Sequence, residues 1–437
     1  MMNRISNLLV YKGQQIEKQN MIWNMAGSFC YAFASMVLSF LVIRIAGEDA
    51  GGVFAVGFSA FGQQMFTLAY FGLRPFQITD GGTARGGYSF GEYRFHRKIT
   101  CILAVAVSVI YVVWMREQGI YGGEKAFAIF LLAVYKIIDG YADVYESEFQ
   151  RQGSLYLTGK SNTFRTILSV SSFVLTLAAT RALVPACVLA VIAQILGVVI
   201  FDFSVTRALT RIDYQYRSQG AKRLTAQSGL LFLSVFLDFY VFSAAKYAID
   251  GWMNDAASGY FNLIFMPTSV IYLVANFVIR PFLTKLTACW NQGGTGEFRK
   301  ILKKIGVIIL GLSVLAVGGC IGLGKLVLSV MERLLGSGYE GSLVQHHLAF
   351  TVIVFGGGVY ALTNLMYYSL VIMRRQRWIF TVYLGTAASA FVLAPFFVSR
   401  IGILGGAFAY CLFMLMQLTG FGVGVLPRLY RQKDKRR

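Results

Sequence analysis

Residues 134–149 read VYKIIDGYADVYESEF, and they place one lysine and four acids within sixteen positions. The surrounding chain has 437 residues, of which 56% are hydrophobic and only 14% charged. Residues 125–149 otherwise have the length and apolarity of a helix that crosses a bilayer. At 100° per residue, Lys136, Asp139, Asp143, Glu146 and Gln150 share an arc of about 80°. Glu148 points to the opposite side, near a helix end where water is in reach. A charge at the bilayer centre costs roughly 2.5–3.5 kcal/mol, so a lipid-facing stripe of this kind would defeat insertion. The stripe must face protein or a water-filled cavity. A single span cannot provide that, and the expected fold is therefore a bundle.

The rest of the chain supplies the bundle. The mean hydropathy is +0.60, and twelve apolar runs near span length occur at 21–46, 50–73, 99–116, 125–149, 162–181, 184–206, 226–250, 257–280, 304–330, 345–372, 378–399 and 402–426. In hydrocarbon the backbone must satisfy its own hydrogen bonds, so an all-α, polytopic membrane protein is expected. The first run has no small-residue cleavage site and is expected to be a retained span.

The net charge of +20 follows the membrane pattern, which argues against a nucleic-acid partner. With the N-terminus inside, 31 of the 40 Lys and Arg fall in Arg4 to Lys18, Arg74 to Lys98, Arg151 to Arg165, Arg207 to Arg223, Arg280 to Lys304, Arg374 to Arg377 and Arg428 to Arg437. That asymmetry places both termini in the cytoplasm, with basic loops against anionic membrane lipids. The six cysteines are scattered without metal-ligand spacing, and the three histidines do not join them. There is no phosphate-binding glycine loop and no nucleophile elbow. Neither an enzyme, a metal site nor a cofactor is expected.

An internal repeat runs at an offset of 206 residues. Asp49-Ala50 and Asp255-Ala256 open equivalent spans, which end at Arg74-Pro75-Phe76 and Arg280-Pro281-Phe282. Arg97-Lys98 and Lys303-Lys304 keep the register, as do Arg94 and Lys300. Two six-helix bundles follow, 1–215 and 216–437, joined by the basic linker 211–223 that lets them rock. Parallel repeats of this kind usually hold substrate between the halves near mid-membrane, so a transporter is favoured over a channel or scaffold.

Polar residues in other spans complete the candidate site. Asn24, Ser28, Tyr31, Ser35 and Ser39 share a face of the first span; Gln63, Gln64 and Thr67 lie in the second. Asp238 lies near mid-membrane in the seventh, with Lys246 and Asp250 further along, and Pro267 marks a kink in the eighth. Lys136 with Asp139, and Lys246 with Asp250, have the spacing of self-neutralising helical pairs, or else serve a ligand. Asp143 and Asp238 have no basic partner evident in the sequence, which points to function. The fourth span stays acidic after pairing, suiting proton or cation handling.

IRIAGEDAGGVFAVGFSAF (43–61), GLRPFQITD (72–80) and YSFGEYRFHRKITC (88–101) resemble the first spans of Wzx-type capsule and O-antigen repeat-unit flippases. YKIIDGYADVYESEFQRQGSLYLTGKSNTFRT (135–166) is similar to their fourth span and following loop, and LLGSGYEGS with VYALTNLMYYSLVIMRRQRW to their region around span ten. The likeness covers most of the chain and is strongest over the first 165 residues. It implies the multidrug/oligosaccharidyl-lipid/polysaccharide (MOP, MATE-like) exporter fold in the bacterial cytoplasmic membrane. The implied cargo is undecaprenyl-diphosphate-linked oligosaccharide, turned to the outer leaflet by alternating access. A monomer, working alongside a polysaccharide polymerase and glycosyltransferases, is the implied setting. On that picture Lys136, Lys246 and Arg44 meet diphosphate or sugar, Asn24 lines the cavity, and Asp139, Asp143 and Asp238 bind hydroxyls or a coupling ion. A multidrug exporter of the superfamily would carry an acid in span one, where only Asn24 and neutral hydroxyls stand. A peptidoglycan-precursor flippase would carry two extra spans after the twelfth and more arginine in its cavity. A non-transporting scaffold for polysaccharide assembly is the remaining alternative, distinguished by indifference to mid-membrane charge mutations.

Overall fold

Long apolar runs become long helices in the computed structural model, which describes residues 9–11, 13–79, 87–209 and 212–431. Arg4, Lys12, Arg85, Arg211 and the basic tail from 432 onward, all part of the expected basic segments, lie outside the described residues. The helices are α1 (Ile16–Ala46), α2 (Glu48–Phe54), α3 (Gly62–Tyr70), α4 (Arg74–Thr79), α5 (Phe90–Glu117), α6 (Gly123–Arg151), α7 (Leu155–Thr180), α8 (Leu183–Gly197) and α9 (Ser204–Ala208). They continue as α10 (Ser218–Trp252), α11 (Asp255–Phe265), α12 (Pro267–Asn291), α13 (Thr295–Leu335), α14 (His347–Ile372) and α15 (Gln376–Arg431). Two π-helical segments are inserted: Ala55–Phe61 links α2 to α3, and Val198–Phe203 links α8 to α9.

Among the described residues, nine helices are long and apolar enough to cross a membrane by length and composition. The difference from twelve runs has physical causes. The second run is a continuous helical path from Glu48 to Tyr70 divided by its π-helical segment. The fourth, α6, carries the charged stripe and so fails on composition. The last two runs join in α15 across a kink at Ile401 and Gly402, where φ is +57° and ψ −136° at the glycine. Only a residue without a Cβ takes that conformation cheaply.

Several helices begin earlier than their apolar runs. Ser89 and Glu92 form a reciprocal capping box, Glu92 N donating to Ser89 Oγ at 3.1 Å and Ser89 N to Glu92 Oε2 at 2.7 Å. This starts α5 at Phe90 and carries Arg97 two turns into the helix. Likewise α7 starts at Leu155, seven residues before its apolar run, so that Arg165 lies well within the helix. Pro267 opens α12 as its first residue, breaking the eighth span where a kink is expected. Pro281 does not end that helix, which continues to Asn291.

The chain divides into two compact units, Met1–Phe232 and Leu233–Arg437, the division falling within α10. In the first, α1 crosses α7 at paired glycines. A Cβ on Gly27 would stand 2.8 Å from the Gly159 carbonyl oxygen, and one on Gly159 would stand 2.1 Å from that of Trp23. Small residues let two backbones approach this closely. In the second, Ile279, Ile305, Leu365, Leu370, Phe421 and Val425 from α12–α15 form a fully buried core.

The described part of the expected linker is fastened to the start of α5. Gly91 N donates to Asp213 O at 3.1 Å, Ser89 Oγ donates to Gln215 O, and Arg94 lies over the Tyr214 ring at 5.2 Å. A side chain at position 91 would collide with the Tyr214 and Gln215 carbonyl oxygens, each 2.3 Å from its Cβ. Residues 212–217 therefore form a bound strap, with the first unit holding it.

Candidate functional site

The α6 stripe is turned into the first unit, where Lys136, Asp143 and Glu146 are buried. Their partners come from helices far away in the chain. Arg74, at the head of α4, reaches Asp143 at 2.7 Å and Glu146 at 3.6 Å. Arg97, fully buried in α5, holds the other oxygen of Asp143 at 2.9 Å and donates to the Ala69 carbonyl at 3.2 Å. Arg165 of α7 contacts Asp139 at 2.7 Å, Glu146 at 2.9 Å and Asp202 at 2.8 Å. Asp202 lies in the second π-helical segment and also accepts from Ser161 Oγ at 2.6 Å. Gly197 makes room for this arrangement, since a Cβ there would lie 2.7 Å from Arg165 Cγ.

These contacts correct four expectations. Asp143 does have basic partners, two of them. Asp139 pairs with Arg165 in place of Lys136. Lys136 instead donates to Tyr31 Oη at 2.6 Å and Gln63 Oε1 at 3.2 Å, with the Phe58 ring 3.8 Å away. Glu148 does not reach water: it is fully buried and pairs with Arg151 at 2.9 Å. The fourth correction concerns charge. Asp139, Asp143, Glu146 and Asp202 are matched in number by Lys136, Arg74, Arg97 and Arg165, so this region is neutral and not acidic.

The second unit is built differently. Asp238 of α10 is half-buried and accepts from Tyr360 Oη at 3.3 Å, while its Oδ1 is buried without a hydrogen bond. Among the described residues no ion pair includes it. Lys246 donates to Asn262 Oδ1 at 2.9 Å and lies 4.7 Å from the centre of the Phe265 ring. Asp250 is buried. Asn24 and Arg44 are exposed on α1, and the structure does not bring them to the charged cluster.

Arg74, Arg97, Arg165 and Asp202 are the residues that sequence reasoning missed. The three arginines count among the cytoplasmic basic segments: Arg97 precedes its apolar run, Arg74 follows the end of one, and Arg165 lies near the start of the run 162–181. The capping pattern Ser89 to Glu92 is a sequence signal for Arg97 being helical. Asp202, an acid inside an apolar run, is a signal that a partner must exist.

No protein-family model and no curated protein matches the sequence. Solved structures do match the fold. An inward-facing multidrug-resistance MATE family transporter of the MOP superfamily aligns with a TM-score of 0.64 at 11% identity, over 92% of this chain and 95% of the other. The lipid II flippase MurJ in an inward closed conformation gives 0.65 at 11%, over 93% and 87%. The eukaryotic MATE transporter AtDTX14 gives 0.60 at 13%, over 97% and 100%. At such identities the likeness is one of architecture, and the chain has the all-helical membrane fold of the MOP superfamily transporters.

Proposed function

We propose that this protein is a flippase for lipid-linked oligosaccharide, moving undecaprenyl-diphosphate-borne repeat units across a bacterial cytoplasmic membrane by alternating access, with both termini cytoplasmic. The observation that carries the proposal is the pair of intramembrane lysines, Lys136 buried and Lys246 half-buried. Lys136 and Lys246 are each held by neutral oxygens, of Tyr31 and Gln63 in one case and Asn262 in the other. Neither lysine is in an ion pair among the described residues, which leaves each of them to meet an anionic group such as a lipid diphosphate. The same charge opposes an organic cation. The resemblance of the spans to repeat-unit flippases supports the same cargo, and one fold neighbour is described as a lipid flippase.

A second proposal, a cation-coupled multidrug exporter, draws on Asp238, whose carboxylate has no ion pair among the described residues. Reconstitution in proteoliposomes containing undecaprenyl-diphosphate oligosaccharide separates the two. The measured quantity is the fraction of head groups open to external glycosidase, for wild type, Lys136→Ala and Asp238→Asn. Protein-dependent exposure that falls at least about tenfold in Lys136→Ala is expected. Export of a cationic dye with no lipid exposure would overturn the flippase proposal. Equal exposure in all three proteins would remove the role given to the charges.

A further inference from the structure

Within the second unit, Asp238 is not alone. Tyr272 of α12 and Tyr360 of α14 stack with ring centres 5.5 Å apart and planes 24° apart, and Tyr272 remains 37% exposed. One turn below, Asn276 Oδ1 accepts from Tyr368 Oη and from Asn364 Nδ2, both at 3.3 Å. Gln417 of α15 lies beside Asp238. It is fully buried, and although it and Tyr383 both lie close to the Asp238 carboxylate, neither its Nε2 nor its Oε1 makes a well-formed hydrogen bond. An amide shut away from water with both ends unsatisfied costs free energy unless something completes it. Together with Asp238 Oδ1, the amide NH2 and oxygen of Gln417 are two acceptors and a donor group that lack a well-formed hydrogen bond in this buried cluster, next to a tyrosine face.

The chemistry of those open positions selects the ligand. An anion is opposed by Asp238, which has no neutralising cation among the described residues. A metal or organic cation uses acceptors only, and would leave the Gln417 NH2 unsatisfied. A sugar hydroxyl both donates and accepts, and the C–H face of a pyranose ring fits flat against an aromatic side chain. A site of few convergent polar groups on an aromatic wall is the usual form of a small-molecule pocket. We infer that this Asp238–Gln417–Tyr272–Tyr360 cluster is a subsite for a neutral sugar of the head group, separate from the lysines that meet the diphosphate. The inference rests on the flippase proposal and deepens it.

The test uses the full chain in nanodiscs with two probes: undecaprenyl-diphosphate oligosaccharide and undecaprenyl diphosphate without sugar. Wild type binds the sugar-bearing lipid more tightly. Gln417→Leu and Tyr272→Ala bind it about tenfold more weakly, the loss typical of polar groups left without partners, and bind the bare lipid like wild type. Tyr272→Phe, which keeps the ring face, restores sugar-lipid binding. If both variants match wild type on the sugar-bearing lipid, the subsite is overturned and the flippase proposal stands. If wild type binds neither lipid, both fall. Competition by sodium or tetraphenylphosphonium that depends on Asp238, without sugar discrimination, would assign the cluster to a cation and overturn the subsite.

Discussion

In the first unit Asp143 lies between two arginines, 2.7 Å from Arg74 and 2.9 Å from Arg97, whereas in the second Asp238 has a tyrosine hydroxyl at 3.3 Å. Both are carboxylates on apolar helices, and the difference lies in what crosses them. The first unit closes its charges into a network in which Arg165 alone ties together three acids from two elements. Such a network holds helices in register, because any displacement separates buried opposite charges. Both units leave some buried polar atoms without a partner, Arg97 Nε and Gln194 Oε1 among those of the first, but in the second they include a carboxylate oxygen of Asp238, which has no ion pair among the described residues. The contrast suggests a rigid unit and a receptive one.

Arg165→Leu breaks the comparison most severely. It strands Asp139 and Asp202, leaves Glu146 with Arg74 alone, and should cost about 3–5 kcal/mol, the loss seen when one member of a buried ion pair is removed. Thermal unfolding of purified protein measures it. Unchanged stability would show that the network is not structural. Asp143→Asn should cost nearly as much, about 3 kcal/mol, by leaving Arg97 without its carboxylate and Arg74 with only the longer contact to Glu146 at 3.6 Å. The same change at Asp238→Asn should move stability by no more than about 1 kcal/mol, since it removes a half-buried charge that has no ionic partner among the described residues. Melting the two proteins side by side tests the contrast, and equal losses would erase it. Smallest in stability is Lys136→Met. The methionine fills similar volume among Phe58, Tyr31 and Gln63, for a change within about 1 kcal/mol. Its effect belongs to transport, read from glycosidase access in proteoliposomes. A stable variant with full transport would detach Lys136 from the cargo.

Pattern and spacing account for most of the helices. The apolar runs, the break at Pro267 and the helical stripe on α6 are local properties, and each has its counterpart in the structure. Local signals also went unread: Ser89 and Glu92 announce an early start for α5, which turns Arg97 from a loop charge into a buried one. The candidate site was legible only as a set of residues that need company. Which company they find depends on helix crossings between residues dozens of positions apart, such as Arg97 with Asp143 and Arg165 with Asp202.

By itself the sequence determined that the chain is a helical membrane protein with charges that cannot face lipid, because hydropathy and helical periodicity are summed over neighbours in the chain. Tertiary structure alone decided that Asp143 is neutralised while Asp238 is not, and that Lys136 rests on a hydroxyl and an amide. The physical reason is range. An ion pair forms only within a few ångströms, and only the packing of distant helices brings groups that close.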